Sequence, residues 1–342
     1  MTIIVKKDVR MVDIAKQLNI SVVTVSNALN DKEGVSTELR EQIKNTAEKI
    51  GYKYTVNNKV TSKIENRNIG ILISERFGSK GSFYWELCQE VSKELLKNNL
   101  FAINESLSLQ AENDGVLPRV ISEKKVSGLI VLGQINRLYI DLLIKVDIPI
   151  VFLDFYDKHY NIDTVVTDNF YGTYLLTDYL LQNGHKNIGF VGNIMATSSI
   201  HDRFLGYLKA LMEDNIPVDK RNFIDDRDEN GASIKDFKFP LDNMPTAFVC
   251  NCDETAFRVI TSLKSMDYRV PEDISIVGFD NYMVADVCDP PLTTIEVNLK
   301  AMAETTVEII LRKLENNNCS IGRKIILGKL IIRDSVVNIK DK

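Results

Sequence analysis

The sequence has no long apolar run: nowhere do 18 or more apolar residues follow one another, so no segment is expected to span a membrane as a helix. Its first residues, MTIIVKKD, reach charged side chains too soon for a secretory signal. Cysteine is scarce, with five residues scattered along a long chain, which predicts free thiols and not a disulfide framework. These absences predict a cytoplasmic protein.

Patterns typical of enzymes and metal sites are also missing. The three histidines lie far apart, and none stands in an HExxH spacing. The pair Cys250-x-Cys252 has no second pair that would complete a zinc site. The nucleotide motifs GxGxxG and GxxxxGK[ST] and the nucleophile motif GxSxG do not occur. The sequence therefore predicts no catalytic residue, no metal site and no cofactor.

The chain is long and its charge is unevenly distributed. At 342 residues it exceeds one ordinary core, and 44% hydrophobic with 26% charged residues is typical of globular domains. The net charge is −5, yet residues 1–63 hold eleven Lys and Arg against seven Asp and Glu, and the remainder holds 31 against 40. A basic head on an acidic body is expected when only the head meets nucleic-acid phosphate.

The head, residues 1–63, has the pattern of three short helices. Asn19 tolerates a left-handed turn after the first helix, and Ser21 is a good N-cap for a second helix over Val22–Leu29. A third helix is predicted over about 37–50, capped by Ser36 and ended by Gly51. This arrangement predicts a helix-turn-helix domain, and the alternative is a small helical bundle without a DNA role.

About forty consecutive residues of the head resemble the headpiece of the lactose/galactose-repressor (LacI/GalR) family. The resemblance rests on Asp13-Ile-Ala, Asn19-Ile-Ser-Val-Val-Thr-Val-Ser-Asn-Ala-Leu-Asn30, Gly34-Val-Ser36, Arg40-Glu and Ala47-Glu-Lys-Ile-Gly-Tyr52. It implies that the second helix enters the major groove of DNA. The base-reading positions would be Val22, Val23 and Asn27, and the positions that grip the backbone or cap the helix would be Ser21, Thr24, Ser26 and Asn30, with Tyr52 also counted in the DNA-binding set.

The chemistry of these side chains limits which DNA bases they would contact. Two valines cannot donate hydrogen bonds and would contact thymine methyl groups, whereas Asn27 would favour adenine over guanine. The alternative for both valines is ordinary packing. The family's Pro-Asn and its minor-groove leucine are missing from residues 51–62, where Val56 or Val60 would be a weaker wedge.

The body, residues 67–342, alternates strand and helix patterns, which predicts parallel sheets covered by helices in two α/β lobes. The expected lobe boundaries are about 67–162 with 295–322, and about 163–290 with 323–342. Several carboxylates and amides follow predicted strands, where α/β folds bind ligands, and they would suit a polyhydroxyl compound. The alternative is that each caps a helix. These residues are Asp154, Asp168, Asn169, Asp253, Asp280 and Asn281.

The body also resembles the sensor domain of the LacI/GalR family, through strings such as Thr167-Asp-Asn, Gly184-His-Lys-Asn-Ile-Gly-Phe190, Val270-Pro-Glu-Asp-Ile-Ser-Ile-Val-Gly-Phe-Asp280 and Pro290-Pro-Leu-Thr-Thr-Ile295. It implies a two-lobe fold of the type I periplasmic-binding-protein kind, with an effector between the lobes. A predicted helix begins at Arg203, whose guanidinium could fork onto two ligand hydroxyls. Where the family has Asn-Asp before a helix, this chain has Cys252-Asp253. The implied effector-binding set is Phe83, Tyr84, Asp154, Arg203, Asp253 and Asp280.

The sequence thus predicts a cytoplasmic transcription regulator, a repressor, that binds a palindromic operator as a homodimer. A small sugar-like effector would control it by differential affinity for two lobe arrangements. The apolar stripe of a helix over 298–314 is a candidate subunit contact, with lobe packing as the alternative. Competing hypotheses are a solute receptor for a transporter and a sugar-modifying enzyme.

Overall fold

The computed structural model describes residues 10–29, 34–50, 52, 68–77, 82–228, 231–234, 236–316 and 319–340. The chain divides into two compact units, residues 1–65 and 66–342.

The first unit contains the helix-turn-helix that the sequence predicts: α1 (Met11–Leu18), α2 (Val22–Leu29) and α3 (Thr37–Lys49). Asn19 ends α1 in the left-handed conformation, with φ 53° and ψ 45°. The Ser21 hydroxyl accepts a 3.0 Å hydrogen bond from the backbone N–H of Thr24, so Ser21 caps the start of α2. The turn and the cap therefore fix the direction in which α2 leaves α1.

Apolar side chains from all three helices meet in one small core, and burying each large one contributes about 1.5–3 kcal/mol. Alanines at three of these positions let the helices approach closely. Arg40 on α3 donates a 3.2 Å hydrogen bond to the carbonyl of Ala28, one of the carbonyls left without an intrahelical partner at the end of α2. The buried residues are Ile14, Ala15, Val25, Ala28, Leu29, Ile43 and Ala47.

The second unit is built on two parallel sheets, as expected for alternating strands and helices. The first sheet has six strands in the order β11-β5-β4-β3-β1-β2. Its central strands are apolar and buried on both faces, as parallel strands covered by helices must be. The strands are β1 (Asn68–Ser74), β2 (Phe101–Leu107), β3 (Gly128–Leu132), β4 (Ile150–Leu153), β5 (Thr164–Thr167) and β11 (Arg323–Ile326).

The second sheet has four parallel strands in the order β7-β6-β8-β9. A separate antiparallel pair, β10 (Thr294–Glu296) with β12 (Lys329–Ile331), lies where the chain passes between the lobes. The terminal segment then returns to the second sheet, where the Ser335 hydroxyl donates a 2.6 Å hydrogen bond to the carbonyl of Ile276. The strands of this sheet are β6 (Ile188–Val191), β7 (Phe223–Ile224), β8 (Ala247–Cys250) and β9 (Ser275–Val277).

Helices cover the two sheets. Within the part of the chain that the structure describes, none of them is both long and apolar enough to cross a membrane. They are α4 (Phe83–Lys97), α5 (Leu109–Asp114), α6 (Arg119–Ser122), α7 (Arg137–Leu143), α8 (Asn169–Gln182), α9 (Ser198–Glu213), α10 (Asp253–Ser265), α11 (Met283–Val287) and α12 (Leu299–Glu315), with short 3₁₀ turns at Lys220–Asn222 and Leu241–Asn243.

Three features differ from the expectations. Strands β5 and β11 pair with each other in the first sheet, although the expected boundaries placed residues 163–167 and 323–326 in the second lobe. Helix α9 begins at Ser198 and not at Arg203, because the Thr197 hydroxyl caps it by accepting from the N–H of Ile200. The stripe of α12 is buried against α4 and the first sheet, so it packs its own lobe and offers no subunit contact.

Candidate functional site

The exposed face of α2 carries the side chains that the sequence assigns to DNA reading. Val22 is 39% exposed and Val23 is 67% exposed. Both point away from the core, because Val25, Ala28 and Leu29 occupy the buried side of the same helix. Packing within the headpiece therefore does not account for the two valines.

The remaining residues of the DNA-binding set surround this face in different ways. Ser21 is exposed at the start of α2, where its hydroxyl also hydrogen bonds to that of Thr24 over 2.8 Å. Ser26 and Asn27 are half-buried. Tyr52 packs against the headpiece core, and its N–H donates to the carbonyl of Ala47 over 2.9 Å. Asn30 and the linker, with Val56 and Val60, lie outside the described residues.

A cavity of about 560 Å³ opens at the carboxyl ends of the strands of both sheets in the second unit. This volume lies within the range of sites that enclose small ligands. Five of the six residues of the effector-binding set line it: Phe83, Tyr84, Asp154, Arg203 and Asp280. The structure thus brings together side chains that are up to 197 positions apart in the sequence.

Arg203 is held rigidly in the wall of this cavity. Its Nε donates to the side-chain oxygen of Asn169 over 2.7 Å, one terminal nitrogen donates to the carbonyl of Asn251, and the other donates to Asp280 over 3.3 Å. The flat guanidinium lies over the ring of Phe279, 3.8 Å from its centre. Three of its five N–H groups are used within the protein, so its orientation is set before any ligand arrives.

Close packing of α9 against α8 positions Arg203 in the cavity wall. A side-chain carbon on Gly206, one turn further along α9, would lie 2.1 Å from the carbonyl oxygen of Phe170 at the start of α8. Only glycine fits such an approach. The contact brings Asn169, which also lies at the start of α8, within reach of Arg203.

Asp154 stands at the end of β4 on the opposite side of the cavity. The Tyr84 hydroxyl donates to its Oδ2 over 2.9 Å, while its Oδ1 is buried and has no hydrogen-bond partner among the described residues. Burial raises the pKa of Asp154 to about 6, although the charge of Arg203 and the Tyr84 hydrogen bond act to lower it. An unpartnered buried oxygen of this kind is costly unless a ligand or water donates to it.

Asp280, at the end of the second sheet, completes the polar part of the site. Burial raises its pKa to about 7, with Arg203 opposing this and the charge of Asp154 adding to it. Asp280 adopts φ 110° and Asp154 adopts φ 66°, both in the left-handed region that is rare for side chains other than glycine and asparagine. The charge of Asp154 thus raises the pKa of Asp280, and the charge of Arg203 lowers the pKa of both carboxyls.

Asp253 does not line the cavity, contrary to its place in the effector-binding set. Its Oδ1 accepts a 2.6 Å hydrogen bond from the Thr294 hydroxyl, and its N–H donates to the carbonyl of Phe279. The carboxyl thus fastens α10 to the crossing strand β10. Its neighbours Asn251 and Cys252 line the cavity instead.

Helix capping explains some of the other polar residues at strand ends. Asp168 accepts from the N–H of Tyr171 over 2.9 Å and so caps α8. Asn281 accepts from Arg333 over 2.9 Å and donates to Glu296. Neither of them lines the cavity.

The sequence interpretation missed Asp226, which organises the second-lobe wall. Its carboxylate accepts from the backbone N–H of Asn193, from two nitrogens of Arg227, from the amide of Asn251 and from the Thr255 hydroxyl. These bonds hold the pKa of Asp226 below its usual value against the effect of burial. The strand before it, β7, has only two residues, so no periodic pattern marks its end.

The comparisons with known proteins agree with both units. The model of the lacI family of bacterial regulatory proteins matches residues 10–54, and that of the periplasmic binding protein-like domain matches residues 177–336. The chain combines a LacI-family helix-turn-helix domain with a periplasmic binding protein-like domain. Among LacI-family relatives, the ribose operon repressor of Haemophilus influenzae is 25% identical over 332 residues, covering 96% of this chain and 99% of the relative. The repressor PurR of Aliivibrio salmonicida is 28% identical over 312 residues, covering 90% and 92%.

Solved LacI-family structures share the fold. A regulator from Enterococcus faecium with bound ribose superimposes with a TM-score of 0.67 at 24% identity, covering 80% of this chain and all of that one. The lac repressor dimer bound to operator and the anti-inducer ONPF gives a TM-score of 0.66 at 21% identity, covering 97% and 100%.

Proposed function

We propose that this protein represses transcription by binding a palindromic operator as a homodimer, under the control of a small sugar-like ligand in the cavity. The observation that carries the proposal is the exposure of Val22 and Val23 on a helix-turn-helix whose core is complete without them. The named relatives are repressors, which supports the same assignment. Operator DNA of a bacterium lies in the cytoplasm, so the protein acts there.

In this proposal α2 enters the major groove with its N-terminal end foremost. The methyl groups of Val22 and Val23 contact thymine methyls, and the Asn27 amide pairs with adenine. Ser21, Thr24, Ser26 and Asn30 hold the backbone or the helix end, and Tyr52 supports the end of the headpiece. Phosphate contacts set the position of the helix, whereas the three base readers set the operator sequence.

The ligand in this proposal is a polyhydroxyl compound held from both lobes. The unpartnered Oδ1 of Asp154 accepts from a hydroxyl, and the two N–H groups of Arg203 that are not used internally donate to ligand oxygens. The rings of Phe83 and Tyr84 offer a surface on which a sugar face stacks. Asp280 contributes a second carboxyl from the other lobe.

Control of DNA affinity requires that the ligand bind two lobe arrangements unequally. Asp154 belongs to the first sheet, while Arg203 and Asp280 belong to the second lobe. A ligand that bridges them therefore favours the closed arrangement. The chain passes between the lobes beside the cavity, so closing changes the path of those segments. The resulting coupling would be about 1–3 kcal/mol, as is typical of allosteric proteins.

A dimer needs an apolar face, and α12 is not available because its stripe is buried. Exposed apolar side chains occur together on neighbouring helices of the second lobe: Phe257 on α10, and Met283 with Val287 on α11. Met283 and Val287 are four residues apart and so share one side of their helix. We assign this patch to the subunit interface.

Selection of bound DNA from a random pool by the full-length protein tests the function. We expect a palindromic consensus whose half-site contains thymine and adenine at the positions that α2 reads. Binding without sequence preference, or none, would overturn the proposal. A parallel assay for turnover of sugars by the same protein separates a repressor from a sugar-modifying enzyme, because only the enzyme would consume them.

A further inference from the structure

Three arginines outside the predicted effector-binding set line the same cavity: Arg76 from the first lobe, and Arg227 and Arg258 from the second. We propose that the ligand carries an anionic group, a phosphate or a carboxylate attached to a polyhydroxyl body, and that Arg227 and Arg258 bind this group. The inference rests on the proposed ligand-binding function and names the chemical class of the ligand.

The second-lobe wall of the cavity has more arginines than closely paired carboxylates, which supports an anionic ligand group. Arg227 pairs with Asp226 at 2.7 Å, whereas the nearest nitrogen of Arg258 lies 3.9 Å from the same carboxylate. One carboxylate therefore faces two guanidiniums whose side chains are only 20% and 19% exposed. Asp226 already accepts from several other donors, so the guanidinium of Arg258 has no carboxylate within hydrogen-bonding distance among the residues that the structure describes.

The hydrogen bonds of Arg258 lead to the same conclusion. Its terminal nitrogens donate to the carbonyls of Asp226 and Ile234 and to the Thr255 hydroxyl, all of them neutral groups. Its Nε is buried and has no partner among the described residues. By contrast, Arg76 is matched by Glu112 at 2.9 Å and is a weaker candidate for binding an anion.

The end of α10 adds to the positive potential of this wall. Cys252 occupies its N-cap position, its thiol donates to the Thr255 hydroxyl and not to the backbone, and Cys252, Glu254 and Thr255 all line the cavity. The N–H of Asp253 already donates to the carbonyl of Phe279, but the dipole of α10 still favours an anion in front of its first turn. The helix end acts together with the two guanidiniums and not alone.

The acidic residues of the cavity indicate where the hydroxyl end and the anionic end of the ligand bind. Asp228 and Glu254 also line the cavity, but both are exposed, so solvent screens them more than it screens the half-buried guanidiniums. Asp154 and Asp280 accept hydrogen bonds and repel an anion. The hydroxyl end of the ligand therefore belongs with Asp154 and Asp280, and the anionic end with Arg227 and Arg258.

Inorganic phosphate is the probe that tests this independently of the sugar. Its binding to the full-length protein is measured by calorimetry and by thermal shift, in a zwitterionic buffer at low ionic strength. We expect saturable binding that Arg227→Gln weakens about tenfold or more, because charge-assisted hydrogen bonds to phosphate are lost. Arg227→Lys keeps the charge and is expected to lose less.

Arg221→Gln is the matched control. Arg221 also pairs with an aspartate of the second lobe, Asp219 at 2.7 Å, but lies outside the cavity lining. Phosphate that does not bind the wild type, or that binds all variants equally, would overturn the proposal. D-glucose, D-glucose 6-phosphate and D-gluconate are then compared. Tighter binding of either anion than of glucose supports it and identifies the charged group, whereas equal or tighter binding of glucose contradicts it.

Operator selection with the unliganded protein is carried out separately. If phosphate binds through Arg227 but no operator is selected, the repressor assignment fails and the anion site stands. If an operator is selected but phosphate does not bind, only the ligand class is wrong.

Discussion

The guanidinium of Arg203 stacks on the ring of Phe279 while its outer nitrogen pairs with the neighbouring residue, Asp280, at 3.3 Å. Two consecutive residues thus hold the arginine by its face and by its edge. Because side chains of both partners are more than nine-tenths buried, the pair has little access to solvent. The second lobe therefore presents a preorganised cation and carboxyl to the ligand.

Replacing Arg203 is expected to be costly for stability. Arg203→Ala leaves Asp280 and Asn169 without their partner, and breaking a buried ion pair typically costs about 3–5 kcal/mol of the free energy of unfolding. Chemical denaturation of the full-length protein measures this loss. The exposed Arg221→Ala is the control, and we expect it to leave stability unchanged. Equal stability of Arg203→Ala and wild type would show that the guanidinium is not held as described.

Asp154 and Asp280 make stability depend on pH with a definite sign. Their folded-state pKa values, about 6 and about 7, lie above the unfolded value, so the unfolded chain releases these protons first as pH rises. Their contribution to stability is complete below about pH 4 and is lost as pH rises to about 7. For Asp154 alone the loss is of the order of 3 kcal/mol.

The double variant Asp154→Asn, Asp280→Asn checks this pH dependence. The difference in free energy of unfolding between variant and wild type is measured from pH 4 to pH 8. We expect the free energy of unfolding of the variant to rise relative to that of the wild type as pH rises. A constant difference would mean that the carboxyls titrate alike in both states, and Asp242→Asn controls for the loss of one exposed aspartate.

The subunit interface is expected to fail when a charge is placed in the apolar patch. Met283→Asp and Val287→Asp each bury a carboxylate against the partner's apolar surface, which is unfavourable without a compensating cation. Light scattering after size exclusion should report a shift from dimer to monomer. Leu138→Asp, which changes an exposed leucine of the first lobe, is the control. Dimers that persist in both patch variants would place the interface elsewhere.

Periodicity and turn chemistry were sufficient to predict the helix-turn-helix. Asn19 and Ser21 each act through their own backbone, so their roles can be inferred from a few adjacent residues. The central strands of both sheets are equally clear, because buried parallel strands are apolar throughout. Strands β5 and β11 were assigned to the wrong lobe, since the pairing between them joins distant parts of the sequence and the four residues of each strand carry no signal for one sheet over the other.

The cavity could be predicted only in part. Asp154, Arg203 and Asp280 follow patterns that place them at strand ends or near a helix start, and resemblance to the family added Phe83 and Tyr84. Asp253 lies at a strand end as well, yet it bonds to Thr294, 41 positions away, and this contact exists only in the folded chain. The network around Asp226 was missed for the same reason, because all of its side-chain partners except Arg227 are distant in sequence.

The most direct test of the account is the operator preference of Val23→Ala compared with Val12→Ala. Both valines are exposed in the headpiece, but only Val23 lies on the proposed reading face of α2. Affinities are measured for the selected operator and for every single-base change in one half-site, at fixed salt. We expect Val23→Ala to lose preference at one thymine position only, by part of the about 1–3 kcal/mol that a good base contact supplies. Val12→Ala should match the wild type. Equal weakening on every sequence, or no change for Val23→Ala, would contradict base reading by this helix.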